Sequence, residues 1–302
     1  MKYILETKSL SFSYRHQPIL KNINLQIPQG SIYGYLGKNG AGKTTTIKLL
    51  LGLLDPIQDR SIYYDEKEFS NHREISLAKI GSLIESPAYY DHLTGWENLK
   101  YLDHIYQCGT KRIEEVLVKT GLWDARTKKV KKYSTGMKQR LGIAMAIFHN
   151  PEILILDEPL NGLDPEAVHM IRELLLDLKE EGKTIFLSSH ILNEIEKVCT
   201  HVGIIEKGNL LYQGSLNELM KNIHQEIILT TSDVEKAFQI CTSQQFETSI
   251  HGSNELKIVL ENRDRHNELL RILVHHNIPI YALRSNMNNL ETVFLNLISY
   301  SL

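Results

Sequence analysis

The sequence predicts an α/β fold, a largely parallel mixed sheet layered with helices, followed by a small α+β domain. Three observations carry this. Residues 37–44 read Gly-Lys-Asn-Gly-Ala-Gly-Lys-Thr, the pattern G-x-x-x-x-G-K-S/T, set between a β-type run and a helical one. Apolar β-type runs then alternate with helical periodicity as far as about residue 220, as parallel strands joined by helices do. Beyond residue 221 the order changes to β-α-β-β-α-β.

In order along the chain, residues 1–30 hold short β-type runs at 4–5 and 23–27 around a polar turn at 15–18, and read as antiparallel strands. Residues 31–36, Ser-Ile-Tyr-Gly-Tyr-Leu, form the strand that enters the Gly-rich loop. Ile47, Leu50, Leu51 and Leu54 recur at i, i+3, i+4 and i+7, so a helix leaves the loop, closed by Gly52 and Asp55-Pro56. A strand follows near 61–64, and residues 95–150 read mostly as helix. Residues 152–156 and 184–187 are buried-type strands flanking a helix over 167–180 that ends at Gly182. A helix over 192–199 leads to strands at 202–205 and 210–212. The last segment carries strands at 226–230, 246–250, 256–260 and 278–283, and helices at 234–241 and 266–275, a ferredoxin-like order. A closing helix at 290–297 shares Leu290, Val293, Phe294 and Leu297 on one face. The expected domains are 1–220 and 221–302.

Composition narrows the function. With 42% hydrophobic and 23% charged residues and a net charge of −2, the chain has no global electrostatic basis for holding nucleic acid. No apolar stretch is long enough to span a bilayer, and the N-terminal residues lack the apolar core of a signal peptide. Cys108, Cys199 and Cys241 show no CxxC spacing, which fits a reducing compartment better than a disulfide framework or a zinc site.

Three segments carry chemistry. In the loop, Gly37, Gly40 and Gly42 let the backbone bend until its N–H groups share one concavity, with Lys38, Asn39, Ala41 and Thr45 in the same cradle. Lys43 reaches the β- and γ-phosphates of a nucleoside triphosphate, and the Thr44 hydroxyl ligates Mg2+. The phosphates then sit at a helix N-terminus, where the dipole favours an anion. Residues 153–158, Ile-Leu-Ile-Leu-Asp-Glu, end in two carboxylates: Asp157 to hold Mg2+ directly or through water, and Glu158 to polarise the attacking water as general base. Residues 133–140 place Ser134 as an N-cap on a helix whose face continues through Leu141, Ala144, Met145 and Phe148, a second anion-binding helix start.

Over roughly residues 3–215 these segments, in this order, resemble the ATP-binding subunits of ABC transporters. The loop matches Walker A, 153–158 matches Walker B, and 133–137 matches the LSGGQ signature. Residues 160–164, Leu-Asn-Gly-Leu-Asp, match the D-loop with Asp164 its acid, His190 matches the switch histidine, and Tyr14 matches the aromatic that stacks on adenine. The resemblance implies ATP and Mg2+ as cofactors and a fold of mixed sheet plus helical subdomain. It also implies a head-to-tail homodimer in which Ser134 and the N–H of Gly136 contact the γ-phosphate held by the other copy. His190 would contact the same phosphate in cis. It further implies an integral-membrane permease as partner, since the chain itself carries no expected span, and a place on the cytoplasmic face of the membrane.

Two departures from the family pattern are informative. The signature reads Ser-Thr-Gly-Met, which keeps Ser134 and Gly136. Glu85 stands where the family usually carries a glutamine that approaches Mg2+, and a carboxylate can ligate that ion through oxygen. The Glu-Ser-Pro sequence at 85–87, with Thr-Gly-Trp-Glu-Asn-Leu at 94–99, resembles the bacitracin-type and lantibiotic-immunity exporters of Gram-positive bacteria. The expected function is therefore the ATPase subunit of an exporter of peptide antibiotics. The alternatives are an exporter of another drug or lipid, or a soluble ABC ATPase acting on ribosomes or DNA. The last is disfavoured by a single Walker A, the absence of heptads and zinc spacing, and the near-neutral charge.

Overall fold

The structure, a computed structural model, is described over residues 2–221, 225–260, 264–286 and 289–299. It divides into two compact units, Met1–Leu216 and Asn217–Leu302. In the first, β1 (Tyr3–Thr7), β4 (Gln26–Pro28), β6 (Ile62–Tyr64) and β7 (Lys67–Glu68) form an antiparallel sheet in the order β4-β1-β6-β7, and β2 (Leu10–Tyr14) pairs antiparallel with β3 (Gln17–Ile23). A second sheet has the order β12-β11-β5-β10-β9-β8. In it β5 (Ile32–Leu36), β8 (Ile80–Leu83), β9 (Ile153–Asp157), β10 (Thr184–Ser189) and β11 (His201–Glu206) run parallel, and β12 (Asn209–Ser215) returns antiparallel. The helices are α1 (Lys43–Leu50), α2 (Arg73–Leu77), α3 (Gly95–Tyr106), α4 (Thr110–Lys119), α5 (Thr135–Ile147), α6 (Pro165–Glu180) and α7 (Leu192–Glu196), and α8 (Leu216–Lys221) starts at the last residue of this unit.

Every residue of β5, β9 and β10 is buried, the pattern of parallel strands covered on both faces. Tyr33 and Tyr35 fill this layer against Phe186, with ring centroids 5.7 and 5.3 Å apart. Their hydroxyls are not orphaned: Tyr33 donates to Gln213 Oε1 at 3.0 Å, and Tyr35 lies 3.3 Å from Thr46 Oγ1.

The helix starts follow from their caps. Thr94 and Glu97 form a reciprocal capping box on α3. Ser134 accepts from the N–H of Met137 on α5, and Asp164 from the N–H of Ala167 on α6, where Pro165 occupies the first turn. α1 is shorter than its apolar spacing suggests. Gly52, at φ 65, turns the chain after Leu51, so Leu54 packs on the core from outside the helix.

The second unit runs β13 (Gln225–Thr230), α9 (Val234–Ser243), β14 (Glu247–Ile250), β15 (Glu255–Leu260), α10 (Asp264–His275), β16 (Ala282–Asn286) and α11 (Leu290–Ser299). Its sheet is antiparallel in the order β14-β15-β13-β16. Ile227, Leu229, Leu256 and Ile258 from the strands meet Ala237, Cys241, Leu269 and Leu273 from the helices in one core. The last strand begins at Ala282, not at 278. Ile278 donates its N–H to Leu273 O and so closes α10, and Pro279 has no N–H for a ladder.

Candidate active site

The site follows from the register of the second sheet. In the parallel run β8-β9-β10-β5, Leu83 lies opposite Leu156, Ser188 opposite Asp157, and Leu36 opposite Ser189. The segments after these strands therefore leave the sheet at one edge, the carboxyl end where open α/β sheets bind ligands. β5 delivers the Gly-rich loop, β9 Asp157 and Glu158, β10 Ser188 and His190, and β8 Glu85.

The loop requires glycine at residue 42. There φ is 115, and a Cβ would lie 2.6 Å from Leu20 Cδ2. α1 begins at the next residue, so the free N–H groups of its first turn face the sheet edge. Lys43, 6% exposed, donates from Nζ to the carbonyl of Gly37 at 2.7 Å and lies 3.2 Å from Glu158 Oε1. Thr44 Oγ1 donates to Asp157 Oδ2 at 2.8 Å.

Asp157 is 2% exposed, and Ser188 donates to its other oxygen, Oδ1, at 2.5 Å. The same Ser188 hydroxyl accepts the N–H of Glu158 at 2.9 Å. One serine thus fixes both carboxylate residues. Glu158 sits at φ 50, a left-handed conformation that costs a non-glycine residue about 1–2 kcal/mol and that concentrates at functional sites. Its carboxylate is held from two sides, since His190 Nδ1 donates to Oε2 at 2.8 Å opposite the contact with Lys43.

Between these groups lies an open cleft of about 620 Å3, within the usual size range of small-molecule sites. Tyr14, Lys38, Asn39, Gly40, Gly42, Lys43, Thr44, Thr45, Glu158 and His190 line it. Tyr14 is 48% exposed and packs perpendicular to Phe12, with ring centroids 4.8 Å apart. Gly37 and Ala41 do not line the cleft but support it: Gly37 through its carbonyl on Lys43, and Ala41 through N–H to Lys38 O and C=O from Gly208 N–H. Ser134, Gly136 and Asp164 are absent from the lining and stand at the starts of α5 and α6. Glu85 is also outside it, with its Oε1 2.8 Å from Lys48 Nζ.

Comparison with known proteins gives the chain its place. The family model described as "ABC transporter" matches residues 20–161. The bacitracin transport ATP-binding protein BcrA of Bacillus licheniformis is 41% identical over 303 residues, covering 99% of this chain and 98% of that protein. The chain belongs to the ABC transporter family. The lantibiotic transport ATP-binding protein SrtF of Streptococcus pyogenes is 41% identical over 225 residues, 72% of this ABC chain and 96% of its own. A solved ATP-binding subunit of an ABC transporter superposes with a TM-score of 0.65 at 31% identity, over 72% of this chain and 91% of that one. As an ABC ATP-binding subunit the chain binds nucleotide and hydrolyses ATP. No helix among its described residues is long and apolar enough to cross a membrane.

Three residues of the ABC site escape sequence reasoning. Ser188 sits at the end of an apolar strand and looks like any strand terminus. Ile19 lines the cleft, as does Asn161 of the D-loop segment, and Lys48 holds Glu85. Lys48 has a readable i+4 spacing from Thr44, but its partner Glu85 is not readable from that spacing.

Proposed function

We propose that this subunit energises export of a peptide antibiotic of the bacitracin or lantibiotic class, hydrolysing ATP between two copies docked on an integral-membrane permease at the cytoplasmic face. One observation carries the substrate class: the similarity to a bacitracin transport subunit runs through 99% of the chain, both units included. The same similarity makes producer self-immunity or resistance the physiological role.

In this reading the chemistry falls to the residues of the cleft and to Asp157, which is buried behind Thr44 and outside the lining. The loop N–H groups and Lys43 take the phosphates, and Tyr14 offers its exposed ring to the base. Thr44 and Asp157 fit Mg2+: a hydroxyl and a carboxylate, both hard oxygen donors, lie 2.8 Å apart. No cluster of three or more His, Cys, Asp or Glu suited to a metal occurs among the described residues, in keeping with an ion completed by phosphate oxygens and water. Bound there, the ion neutralises charge that develops on the phosphates. Glu158 accepts the proton of a water whose oxygen attacks the γ-phosphorus as the bond to the β–γ bridging oxygen breaks, giving ADP and phosphate. His190 holds Glu158 in place and turns its imidazole toward the same phosphate. Ser134 and Gly136, which lie away from their own cleft, serve the cleft of the second copy. Asp164, the cap of α6, fixes the chain between Walker B and that surface.

The test is Glu158→Gln, co-expressed with the permease in cells exposed to bacitracin or a lantibiotic. Resistance and ATP turnover are expected to fall together, turnover by about 10^2–10^4, with nucleotide binding kept. Unchanged resistance at normal protein abundance would overturn the proposal.

A further inference from the structure

Glu85 stands outside the cleft but beside its metal-facing end. β8 pairs with β9, Leu83 opposite Leu156, so the chain at Glu85 leaves the sheet next to the strand end that carries Asp157. From the other side α1 presents Lys48 one turn beyond Thr44 on the same helix face, a spacing that sets Cβ atoms about 5–6 Å apart. Lys48 Nζ donates to Glu85 Oε1 at 2.8 Å, while Thr44 Oγ1 donates to Asp157. The Glu85 hydrogen bond is the main influence that raises the Lys48 ammonium above its ordinary range, and the charges of Glu85 and Asp157 both reinforce it. Glu85 sits at φ 55 with its side chain 64% exposed, so the carboxylate is reached by solvent and is not locked by packing.

We propose that Lys48 governs the metal demand of the site: the Glu85 carboxylate has two alternative partners, the Lys48 ammonium and the Mg2+ held by Thr44 and Asp157, and Lys48 competes with the ion for it. The inference rests on the reading of Thr44 and Asp157 as metal ligands. Lys48 and Thr44 lie one helical turn apart on α1, so the ammonium and the metal-facing hydroxyl are presented to the segment at Glu85 from the same helix face. Bound to Lys48, Glu85 adds no net charge beside Asp157 and Glu158. Released, it supplies a third hard oxygen to an ion that favours carboxylates. Lys48 is thus a positioning residue that acts through Glu85.

The experiment titrates Mg2+ against binding of a fluorescent ADP analogue to the full chain, which needs no hydrolysis. Wild type, Lys48→Met, Lys48→Arg, Glu85→Gln, the Lys48→Met/Glu85→Gln double variant and Thr44→Ala are compared. Lys48→Met is expected to lower the Mg2+ concentration at half-effect by about two- to fivefold, the competition an exposed ion pair can exert. Lys48→Arg restores the wild-type value, and in the Glu85→Gln background Lys48→Met changes nothing further. An equal shift in the presence and absence of Glu85, or no shift in either, overturns the proposal while leaving the metal site intact. Loss of Mg2+ dependence in Thr44→Ala shows that the metal site stands. A wild-type chain whose nucleotide binding ignores Mg2+ overturns both.

Discussion

Ser188→Ala isolates the residue that ties the two acidic groups together. Ser188 is fully buried, and its hydroxyl makes two bonds at once, to Asp157 Oδ1 at 2.5 Å and from the N–H of Glu158 at 2.9 Å. Alanine leaves a carboxylate oxygen of a 2% exposed aspartate and a backbone N–H without this partner. A bond to a charged group contributes about 1.5–3 kcal/mol and a neutral one about 0.5–1.5 kcal/mol, so the loss comes to about 2–4.5 kcal/mol. Urea unfolding followed by tryptophan fluorescence measures it, because Trp96 and Trp123, the chain's two tryptophans, both belong to the first unit. The midpoint is expected to fall with an unchanged slope. Catalysis should suffer separately, since Glu158 is held at a strained φ partly through this bond. Turnover is expected to drop about ten- to a hundredfold, in line with the cost of misaiming a reacting group. A variant within about 0.5 kcal/mol of wild type and with unchanged turnover would refute the view that Ser188 organises the site.

Two further outcomes are expected. At Gly136 an added Cβ would lie 2.7 Å from Ala167 Cβ, so Gly136→Ala forces α5 and α6 apart at a cost of about 1–3 kcal/mol, and Ala167→Gly in the same chain should recover it; independent effects in thermal melts would contradict the packing argument. Burial lowers the His149 imidazole below its ordinary value of 6.5, against the hydrogen bond to Ile80 O that raises it. The folded chain therefore binds this proton less readily than the unfolded chain. The stability His149 contributes is complete above pH 6.5 and is lost as pH falls below it through the folded value, so His149→Gln should flatten the decline of Tm on the acid side, and a decline parallel to wild type would rule the residue out.

How far the sequence speaks depends on whether a residue's role is local. The strands β5, β9 and β10 are legible because burial on both faces writes a continuous apolar run, and the cap Ser134 because it bonds within its own first turn. Most of the cleft is legible for the same reason, since its loop is one continuous segment. Ser188 and the Lys48–Glu85 pair are not, because their partners are 31 and 37 residues away and meet only through the order of strands in the sheet. The Gly52 stop of α1 is legible, but Leu54 falls beyond it although it keeps the apolar spacing, and the start of β16 differs from the apolar run because Pro279 interrupts the segment from 278.

The proposed motor depends on each ATP being completed by a second copy, and mixing two inactive variants tests this directly. Glu158→Gln removes the base but leaves the signature, while Ser134→Glu sets a charge against the phosphate and introduces an acidic side chain at a helix start, where it is tolerated. A dimer holding one of each contains one site with Glu158 from one chain and Ser134 from the other. ATP turnover is expected to return on mixing the two purified proteins. Persistent inactivity of the mixture, with both variants binding nucleotide as wild type does, would contradict a site shared between two copies.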